Sequence, residues 1–373
     1  MNHRIVILGG GYAGAHAASR IARGLRAPDA SVTLVNAEPN FVERVRLHQV
    51  AAGQDVEPVR LDDLLAGTGV QTRVARVTGL DADAATVFTD RGELEYDTLV
   101  YALGSTGRAP EGTFTLSDHG GALRLREHLG SLRPGDPVRV VGGGLTGLEA
   151  ATEIAESRPD LSVSLATSGR LGSWLAPGAR RHVREAFARL GIAVEEGTTV
   201  RPGEGEGTTV WCAGFDASSL AADTVLETAE DGRIRVDRTM RSASHPDVYA
   251  VGDSAFVRGP GGRACEMRCG MGVPQAWQAA NAIVSRLAGR RPSHYPLGYL
   301  HQGISLGRRD GVIQFVRWDD RARRGYLKAA AAARYKEAVC RFAIASVRWP
   351  SYFPTRRRAV VAAPALRGDE AHA

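Results

Sequence analysis

The stretch RIVILGGGYAG, residues Arg4–Gly14, decides the fold. Its apolar start is typical of a buried strand, and Gly9, Gly11 and Gly14 then form the spacing G-x-G-x-x-G ahead of a helical pattern. The first glycine of this spacing permits a tight turn, the second lets backbone approach a pyrophosphate, and the third lets the helix pack on the strand. The stretch therefore predicts a βαβ unit whose helix N-terminus binds the phosphates of a dinucleotide.

A second copy of the pattern, VRVVGGGLTG at Val138–Gly147, places Gly142, Gly144 and Gly147 at the same spacing. In both copies another apolar strand pattern follows the helical one. One such motif is weak evidence, because glycine-rich turns also occur without a ligand. Two copies in a βαβ context predict an α/β fold with two Rossmann-like domains, each of which binds one dinucleotide.

Composition indicates a globular protein. The 373 residues are 43% hydrophobic, which predicts a buried core and two or three domains. Four cysteines are too few for a disulfide scaffold, so a cytoplasmic location is expected. Neither a signal peptide nor a membrane-spanning apolar run is expected from the sequence.

The positive charge is concentrated at the C-terminal end. The net charge is +6, yet residues 321–373 alone contain twelve Lys/Arg and three Asp/Glu, so the rest of the chain is slightly acidic. A basic segment of this kind can contact anionic lipid, and a peripheral position on the inner face of a membrane is one expectation. Nucleic acid is not an expected partner, because no recognition motif accompanies the basic residues.

Further sequence blocks stand around the two motifs. They are FVERVRLHQVA (Phe41–Ala51), YDTLVYALGS (Tyr96–Ser105), VVGGGLTGLE (Val140–Glu149), VYAVGD (Val248–Asp253) and PQA (Pro274–Ala276). In order and spacing they resemble the FAD-dependent pyridine nucleotide oxidoreductases with two dinucleotide-binding domains, and most nearly the type II NADH:quinone dehydrogenase-like branch. The resemblance covers about residues 1–300.

This resemblance implies a split arrangement of domains. An FAD-binding domain would comprise residues 1–115 and 240–300, an inserted NAD(P)H-binding domain residues 116–239, and a small C-terminal region residues 301–373. The implied cofactors are FAD and either NADH or NADPH. Hydride would pass from nicotinamide to flavin and then to a small-molecule electron acceptor of the quinone type.

Residues at the family's binding positions carry over one by one. The implied FAD contacts are Gly9, Gly11, Tyr12, Ala13, Gly14, Asn36, Ala37, Arg44, Ala102, Gly104, Gly252, Asp253, Pro274 and Gln275. The implied NAD(P)H contacts are Gly142, Gly144, Thr146, Gly147 and Arg170. Asp253 would accept a hydrogen bond from the ribityl chain. A helix that starts near Gln275, after Pro274, would aim its positive end at the flavin.

Three residues are expected to take part in the chemistry. Glu149 would lie near the flavin–nicotinamide junction, and Gln275 at the helix end that faces the flavin. His48, beside Arg44 and Arg46, would line the acceptor pocket and donate a proton, since an ordinary histidine pKa lies near neutrality. The alternative for His48 is structural packing under the flavin.

Two strand ends depart from the family pattern. An acidic residue usually follows the second strand of the FAD unit, but Asn36 stands there, and its amide can still bind a ribose hydroxyl. An NADH enzyme usually has Asp or Glu at the matching place of the second unit, where this chain has TSGR at 167–170. Arg170 could contact the 2′-phosphate of NADPH, which favours NADPH slightly, or it could be a solvated loop charge.

The cysteines also depart from part of the superfamily. No cysteine precedes Cys212, which disfavours the disulfide reductases. Cys265 and Cys269 form a C-x₃-C pair that could be redox-active, although free cysteine is more often small buried filler. No set of Cys and His residues has zinc spacing, so no metal is expected.

The C-terminal region contains an amphipathic helical pattern over about 329–349. Its apolar positions are Tyr335, Val339, Phe342, Ser346 and Trp349, basic residues surround them, and a loose end is expected from Arg356. Such a helix could contact a membrane, cover the body as a lid, or form a homodimer contact.

Two other functions stay open at this point. One is a biosynthetic, flavin-dependent tailoring oxidoreductase that acts on an aromatic or polyketide-like substrate. The other is an FAD- and NAD(P)H-binding redox switch protein that reports through Cys265 and Cys269.

Overall fold

The computed structural model describes residues 2–107, 109–204, 207–348 and 359–362. The strands are β1 (His3–Leu8), β2 (Ala30–Asn36), β3 (Asn40–Phe41), β4 (Val59–Arg60), β5 (Gln71–Val74), β6 (Val77–Asp81), β7 (Thr86–Thr89), β8 (Gly92–Glu95), β9 (Thr98–Tyr101), β10 (Ser105–Gly107), β11 (Phe114–Thr115), β12 (Pro137–Val141), β13 (Ser162–Thr167), β14 (Ala193–Glu196), β15 (Thr208–Trp211), β16 (Phe215–Ala217), β17 (Ile234–Arg235), β18 (Val248–Ala250), β19 (Ala255–Phe256), β20 (His301–Ser305), β21 (Gly311–Val316) and β22 (Ala322–Lys328). The helices are α1 (Tyr12–Gly24), α2 (Leu47–Ala51), α3 (Leu61–Leu64), α4 (His119–Ser131), α5 (Leu145–Ser157), α6 (Pro177–Arg189), α7 (Cys269–Leu287) and α8 (Ala329–Arg348).

The first large sheet is parallel and has the strand order β18-β9-β1-β2-β5. The side chains of Ile7, Leu8 and Leu34 are fully buried, as expected for a parallel sheet covered on both faces. β18 follows the second glycine-rich unit in sequence, so segments before and after that unit build this sheet.

The second large sheet is also parallel, with the order β11-β15-β12-β13-β14. Its strands come from one continuous part of the chain, between β11 and β15. Val138 and Val140 of β12 are fully buried between the covering helices. The predicted α/β fold, with two Rossmann-like domains and the second inserted into the first, is confirmed.

Packing places both domain boundaries differently from the sequence-based ones. β11 pairs with β15 in the second sheet, although the predicted first segment extends to residue 115. The chain also re-enters the first domain before the predicted residue 240. Ala221, Leu226 and Ile234 are already buried in the core of that domain. The intervening residues form short strands and turns, whose pattern alone does not indicate which core they join.

Helix α7 begins at Cys269, so the prediction of a start near Gln275 is wrong. Pro274 lies inside the helix instead of preceding it. Proline is tolerated in the first turn because the N–H groups there have no intrahelical partner, and at Pro274 the helix loses one hydrogen bond just beyond that turn. The proline therefore does not mark the helix start.

The C-terminal region is the antiparallel sheet β20-β21-β22, with α8 packed on it. The expected strand Gly311–Val316 and a helix that begins at Ala329 are both present. Trp349 and the loose end expected from Arg356 lie outside the described residues. Within the described ranges, no helix is long and apolar enough to span a bilayer.

The buried side of α8 differs from the apolar positions predicted for it. Of the predicted positions, Ser346 is buried, but Val339 is 37% exposed and Phe342 is 42% exposed. The other buried residues of the helix are Ala332, Cys340 and Val347. Small side chains let the helix lie close to its neighbours. The larger apolar residues are consequently on the outer side.

The C-terminal end of α8 is bound by α1. Ser19 Oγ donates to the Val347 carbonyl at 2.7 Å, and Arg23 Nη2 donates to the Arg348 carbonyl at 2.7 Å. His16 Nε2 lies 3.0 Å from the Ala343 carbonyl. The last carbonyls of a helix have no intrahelical donor, so these contacts fix α8 on the first domain.

Candidate active site

The first glycine-rich turn has the geometry that its spacing requires. Gly9 has a φ of +98°, and a Cβ at Gly14 would overlap the Gly9 carbonyl oxygen. A Cβ at Gly9 would likewise overlap the backbone of Ala102 at the end of β9. A Cβ at Gly11, in contrast, would meet nothing within 4 Å. A side chain is therefore excluded at the two outer glycines of the turn, while the space beside the middle glycine is free.

The second turn repeats this arrangement. Gly142 has a φ of +118°, and its Cβ would lie 2.9 Å from the backbone carbon of Cys212 at the end of β15. A Cβ at Gly147 would overlap the Gly142 carbonyl oxygen, while one at Gly144 would meet nothing within 4 Å. Both turns present an open backbone surface of the kind that a diphosphate approaches.

The helix that follows each turn begins without a side-chain cap. The N-cap residues Gly11 and Gly144 lack side chains, and neither first turn contains an acidic residue. Helix α4 shows the contrast, because Asp118 caps it by accepting a hydrogen bond from the Gly121 N–H at 2.8 Å. The free N–H groups at α1 and α5, with Thr146 in the first turn of α5, fit two anionic phosphate groups.

The Gly252 turn meets the first of these sites. The φ of Gly252 is +72°, and its Cβ would lie 3.0 Å from the Cβ of Ala13. Gln275 Oε1 accepts a hydrogen bond from the Gly252 N–H at 2.7 Å. Gln275 is 2% exposed and lies in the second turn of α7, where it fixes this turn. The structure thus gives Gln275 a positioning contact, not the predicted place at the helix start.

Asp253 and Arg44 lie together beside the end of β9. Asp253 Oδ2 accepts a hydrogen bond from Ser105 Oγ at 2.7 Å and lies 3.8 Å from Arg44 Nη1. Ser254 Oγ accepts a hydrogen bond from the Gly104 N–H at 2.7 Å. These contacts bring together the two predicted flavin segments at 102–105 and 252–254.

Two further predicted flavin residues lie near the first turn. The hydroxyl of Tyr12 is buried and has no hydrogen-bond partner among the described residues, while its ring packs edge-on against Phe41. Asn36 binds the turn itself, because its Oδ1 accepts a hydrogen bond from the Gly10 N–H at 2.8 Å and its Nδ2 donates to the Glu38 carbonyl. Ala37 is exposed beside it. The side chain of Asn36 is thus occupied by the protein, and its predicted contact with a ribose stays a prediction.

The residue of the second unit that corresponds to Asn36 is Thr167, which is buried at the end of β13. Ser168, Gly169 and Arg170 are exposed at the end of β13. The nearby Glu196 is bound by the Leu171 N–H at 2.7 Å and by Arg184, and these contacts lower its pKa. The exposed guanidinium of Arg170 is one of the charges that act on Glu196, and its predicted contact with a 2′-phosphate stays a prediction.

A buried group of charged side chains surrounds Glu149 on α5. Glu149 Oε1 accepts hydrogen bonds from Lys336 Nζ on α8 and from the Ser305 N–H, the latter at 3.0 Å. Its Oε2 lies 3.8 Å from His48 Nδ1 on α2. The side chains of Glu149 and Lys336 are only 10% and 14% exposed. The group joins three parts of the chain far apart in sequence.

The pKa of His48 is lower than the near-neutral value predicted from the sequence. Burial, together with the nearby cations Lys336, Arg308 and Arg46, lowers the pKa of His48 well below its usual value of 6.5. The imidazole is therefore neutral at pH 7, and its Nε2 has no partner in the described part of the chain. The prediction of a histidine that titrates near neutrality is wrong for this reason.

Lys336 is a member of this buried group that the sequence did not single out. Burial lowers its pKa to about 8, although the Glu149 carboxylate beside it favours the charged form. In sequence it is simply one of the basic residues around the apolar positions of α8. Glu337, the next residue along α8, accepts two hydrogen bonds of 2.9 and 3.0 Å from Arg46. These bonds fix this part of α8 over residues 44–48.

The two cysteines predicted as a redox pair have different surroundings. Cys265 is buried near Tyr299 and Arg233, whereas Cys269 begins α7 and lies near Asp253. Burial raises the pKa of both thiols, that of Cys269 to about 11, and both are free. A thiol with a raised pKa is a poor nucleophile at neutral pH.

Comparison with known sequences agrees with this geometry. The profile of the family described as "Pyridine nucleotide-disulphide oxidoreductase" matches residues 3–283, a span that contains both glycine-rich units and the Gly252 turn. The chain belongs to this family. It is therefore an oxidoreductase of the flavoprotein class that uses a pyridine nucleotide.

Individual relatives and structures resemble the chain over most of its length. An NADH dehydrogenase-like protein of Mycobacterium tuberculosis is 31% identical over 324 residues, which are 76% of this chain and 80% of the relative. A type II NADH:quinone oxidoreductase of Staphylococcus haemolyticus is 25% identical over 361 residues, 83% of this chain and 89% of the relative. The sulfide:quinone oxidoreductase of Aquifex aeolicus superposes with a TM-score of 0.76 at 21% identity, covering 94% and 93% of the two chains, and shows the shared fold.

Proposed function

We propose that this protein is an FAD-dependent NAD(P)H oxidoreductase that reduces a quinone or a quinone-like small molecule. The observation that carries the proposal is the pair of open glycine turns, at Gly11 and Gly144, together with a buried charged group that lies between the two domains. The type II NADH:quinone oxidoreductase of Staphylococcus haemolyticus supports the choice of acceptor.

The chain's own residues would bind and orient the cofactors. The first turn and α1 would hold the FAD diphosphate, with Asp253 and Arg44 beside the same site. The second turn and α5 would hold the diphosphate of NADH or NADPH. When bound, the flavin supplies the transfer of hydride from the nicotinamide and of electrons to the acceptor.

Lys336 would hold a proton on the acceptor side. Reduction of a quinone to a quinol consumes two electrons and two protons, so a proton donor near the acceptor oxygen is required. A lysine whose pKa is about 8 is mostly protonated at pH 7 and can still release that proton. Glu149 would fix the ammonium group, and the neutral His48 would pack beside them.

Peripheral membrane contact through the C-terminal region is a separate part of the proposal. The side chains of Val339 and Phe342 are exposed on α8, as are those of Arg334 and Arg341 on the same helix, a combination that suits an anionic lipid surface. Sedimentation with anionic liposomes tests this contact. Recovery of all protein in the supernatant would remove it without affecting the proposed chemistry.

The deciding experiment is an anaerobic visible spectrum of the purified protein. We expect a flavin spectrum that NADH or NADPH bleaches with one equivalent, and that a water-soluble benzoquinone then restores. A flavin that neither nucleotide bleaches would contradict hydride delivery from the second unit. Bleaching without reoxidation by quinones would exclude the quinone acceptor and favour a tailoring oxidoreductase.

Fast multiple turnover would also remove the alternative of a redox switch. The raised pKa values of its reporting thiols argue against that alternative, since Cys265 is buried, Cys269 is half-buried, and the two lie near different side chains. No contact among the described residues supports it independently.

A further inference from the structure

The strand next to β13 has an acidic residue at the level of Thr167. β14 pairs in parallel with β13, and Glu196, the last residue of β14, is the register partner of Thr167. Neighbouring strands lie about 4.8 Å apart, and the carboxyl ends of parallel strands meet at one edge of the sheet. Glu196 is therefore one strand away from the position at which the family's acidic residue is missing.

Thr167 packs against the second glycine-rich turn, since a Cβ at Gly143 would overlap its Oγ1. The adenosine ribose of a dinucleotide held at this turn would therefore reach the carboxyl end of β13. NADH and NADPH differ only at the 2′ position of that ribose, which has a hydroxyl in one and a phosphate in the other. The charges near this strand end are consequently the ones that can distinguish the two nucleotides.

The side chain of Glu196 reaches the loop that follows β13. Its Oε1 accepts one hydrogen bond from the Leu171 N–H at 2.7 Å and another from Arg184 Nη2 on α6. The two backbones are joined at the same place, because the Gly197 N–H donates to the Gly169 carbonyl at 3.2 Å. The carboxylate is thus fixed beside the loop and next to the residue that follows Arg170.

Glu196 compensates the positive charge at this loop. The Leu171 N–H lowers the pKa of Glu196 most, and the guanidinium groups of Arg184 and Arg170 lower it further, so the carboxylate is ionised at pH 7. Arg170 alone would attract a 2′-phosphate, but an ionised carboxylate close to it reduces that attraction and repels the phosphate directly. The uncharged 2′-hydroxyl of NADH meets no such repulsion.

We propose that Glu196 disfavours the 2′-phosphate of NADPH and makes NADH the preferred hydride donor. The inference rests on the proposed nucleotide site of the second unit, and it assigns the selectivity of that site to the third strand of the sheet. In the first unit the corresponding residue is Val74, which is in register with Asn36, so the carboxylate distinguishes the second unit from the first.

Anaerobic stopped-flow bleaching of the flavin-loaded, oxidised protein by NADH and by NADPH tests this role without an electron acceptor. We expect NADH to bleach the parent with the higher second-order rate constant. Glu196→Gln should raise the NADPH-to-NADH ratio of these constants about tenfold, as expected when one charge close to a phosphate is removed. Glu195→Gln is the matched control, because Glu195 lies on the opposite face of β14 and binds Arg139.

Arg184→Met separates an effect of charge from an effect of structure. Without Arg184 the carboxylate of Glu196 is less compensated, so the NADPH-to-NADH ratio should fall, whereas Glu196→Gln should raise it. An ion pair that only supports the loop would shift the ratio in the same direction in both variants. Arg184→Met also supplies the test if Glu196→Gln does not fold.

Several results would overturn the inference and leave the proposed function intact. They are a parent that prefers NADPH, a ratio that Glu196→Gln does not raise, a ratio that Glu195→Gln raises equally, and a ratio that Arg184→Met does not lower. A flavin that neither nucleotide bleaches would overturn the proposed function and this inference together.

Discussion

The two glycine-rich units share one backbone geometry and differ at the end of their second strand. In the first unit, Asn36 is hydrogen-bonded to Gly10, so the strand end is closed by the protein. In the second, Thr167 stands at the matching position, its Oγ1 accepts a hydrogen bond from the Gly169 N–H at 3.4 Å, and residues 168–170 after it are exposed. We expect a turn that is bound by its strand-end side chain to suit a cofactor that stays bound, and a strand-end side chain that bonds away from the turn to suit a nucleotide that enters and leaves at each turnover. The spacing of glycines therefore specifies the phosphate turn, and the strand-end side chains are expected to distinguish the two roles.

Adding a side chain at the third glycine of each unit should have the largest effect and should separate flavin binding from nucleotide binding. A Cβ at Gly14 or Gly147 would overlap a backbone oxygen, which cannot move aside as a side chain can, so the cost should exceed the ~1–3 kcal/mol of ordinary overpacking. Gly14→Val should lose its flavin absorbance after gel filtration. Gly147→Val should keep the flavin but no longer be bleached by NADH or NADPH.

The middle glycines provide the matched controls for that pair. Alanine at Gly11 or Gly144 would place its Cβ in open space, so the melting temperature should remain near that of the parent while ligand affinity falls. Loss of flavin from Gly144→Ala at the same melting temperature as the parent would show that the second unit also holds the flavin. The assignment of the two units would then be wrong.

Lys336→Met tests the buried group formed by Lys336, Glu149 and His48. Removing a positioned proton donor should lower quinone-dependent turnover by roughly 10²–10⁴-fold. Bleaching by the nucleotide should change much less, because Lys336 binds the Glu149 side chain and would not hold the nucleotide diphosphate. Arg334→Met, an exposed change on the same helix, is the control. Slower bleaching in Lys336→Met would place the lysine on the nucleotide side instead.

The pH dependence of turnover should report Lys336 and not His48. The lysine pKa is about 8, so the protonated donor is present below that pH, and quinone-dependent turnover should fall as pH rises through about 8. Glu149→Gln should move this fall to lower pH, since a carboxylate beside an ammonium group raises its pKa. If His48 were the donor, the fall would lie well below pH 6.5, and turnover would not change as pH rises through about 8. Rates measured from pH 5.5 to 9.5 at saturating nucleotide distinguish the two.

The sequence predicted those parts of the molecule that rest on local pattern. Both glycine turns, the Gly252 turn and the start of α8 depend on spacing within a few residues, and the structure contains them all. Lys336 could not be found in this way, because it is 187 residues from Glu149 in sequence and lies outside the apolar positions of its helix. Burial lowers the pKa on which its proposed role depends, as it lowers that of the neutral His48.

The smallest expected effect concerns the exposed loop after β13 in the second unit. If Arg170 binds the 2′-phosphate of NADPH, Arg170→Ala should raise the KM for NADPH by about tenfold, the contribution of one charge-assisted hydrogen bond at a partly solvated site, and leave the KM for NADH unchanged. Arg180→Ala, at a position on α6 beyond the loop, controls for the general loss of positive charge. Equal changes for both nucleotides, or none, would make Arg170 a solvated loop charge. The choice of nucleotide would then depend on Glu196 and not on the remaining exposed residues, Ser168 and Gly169, neither of which has a charge to distinguish the two.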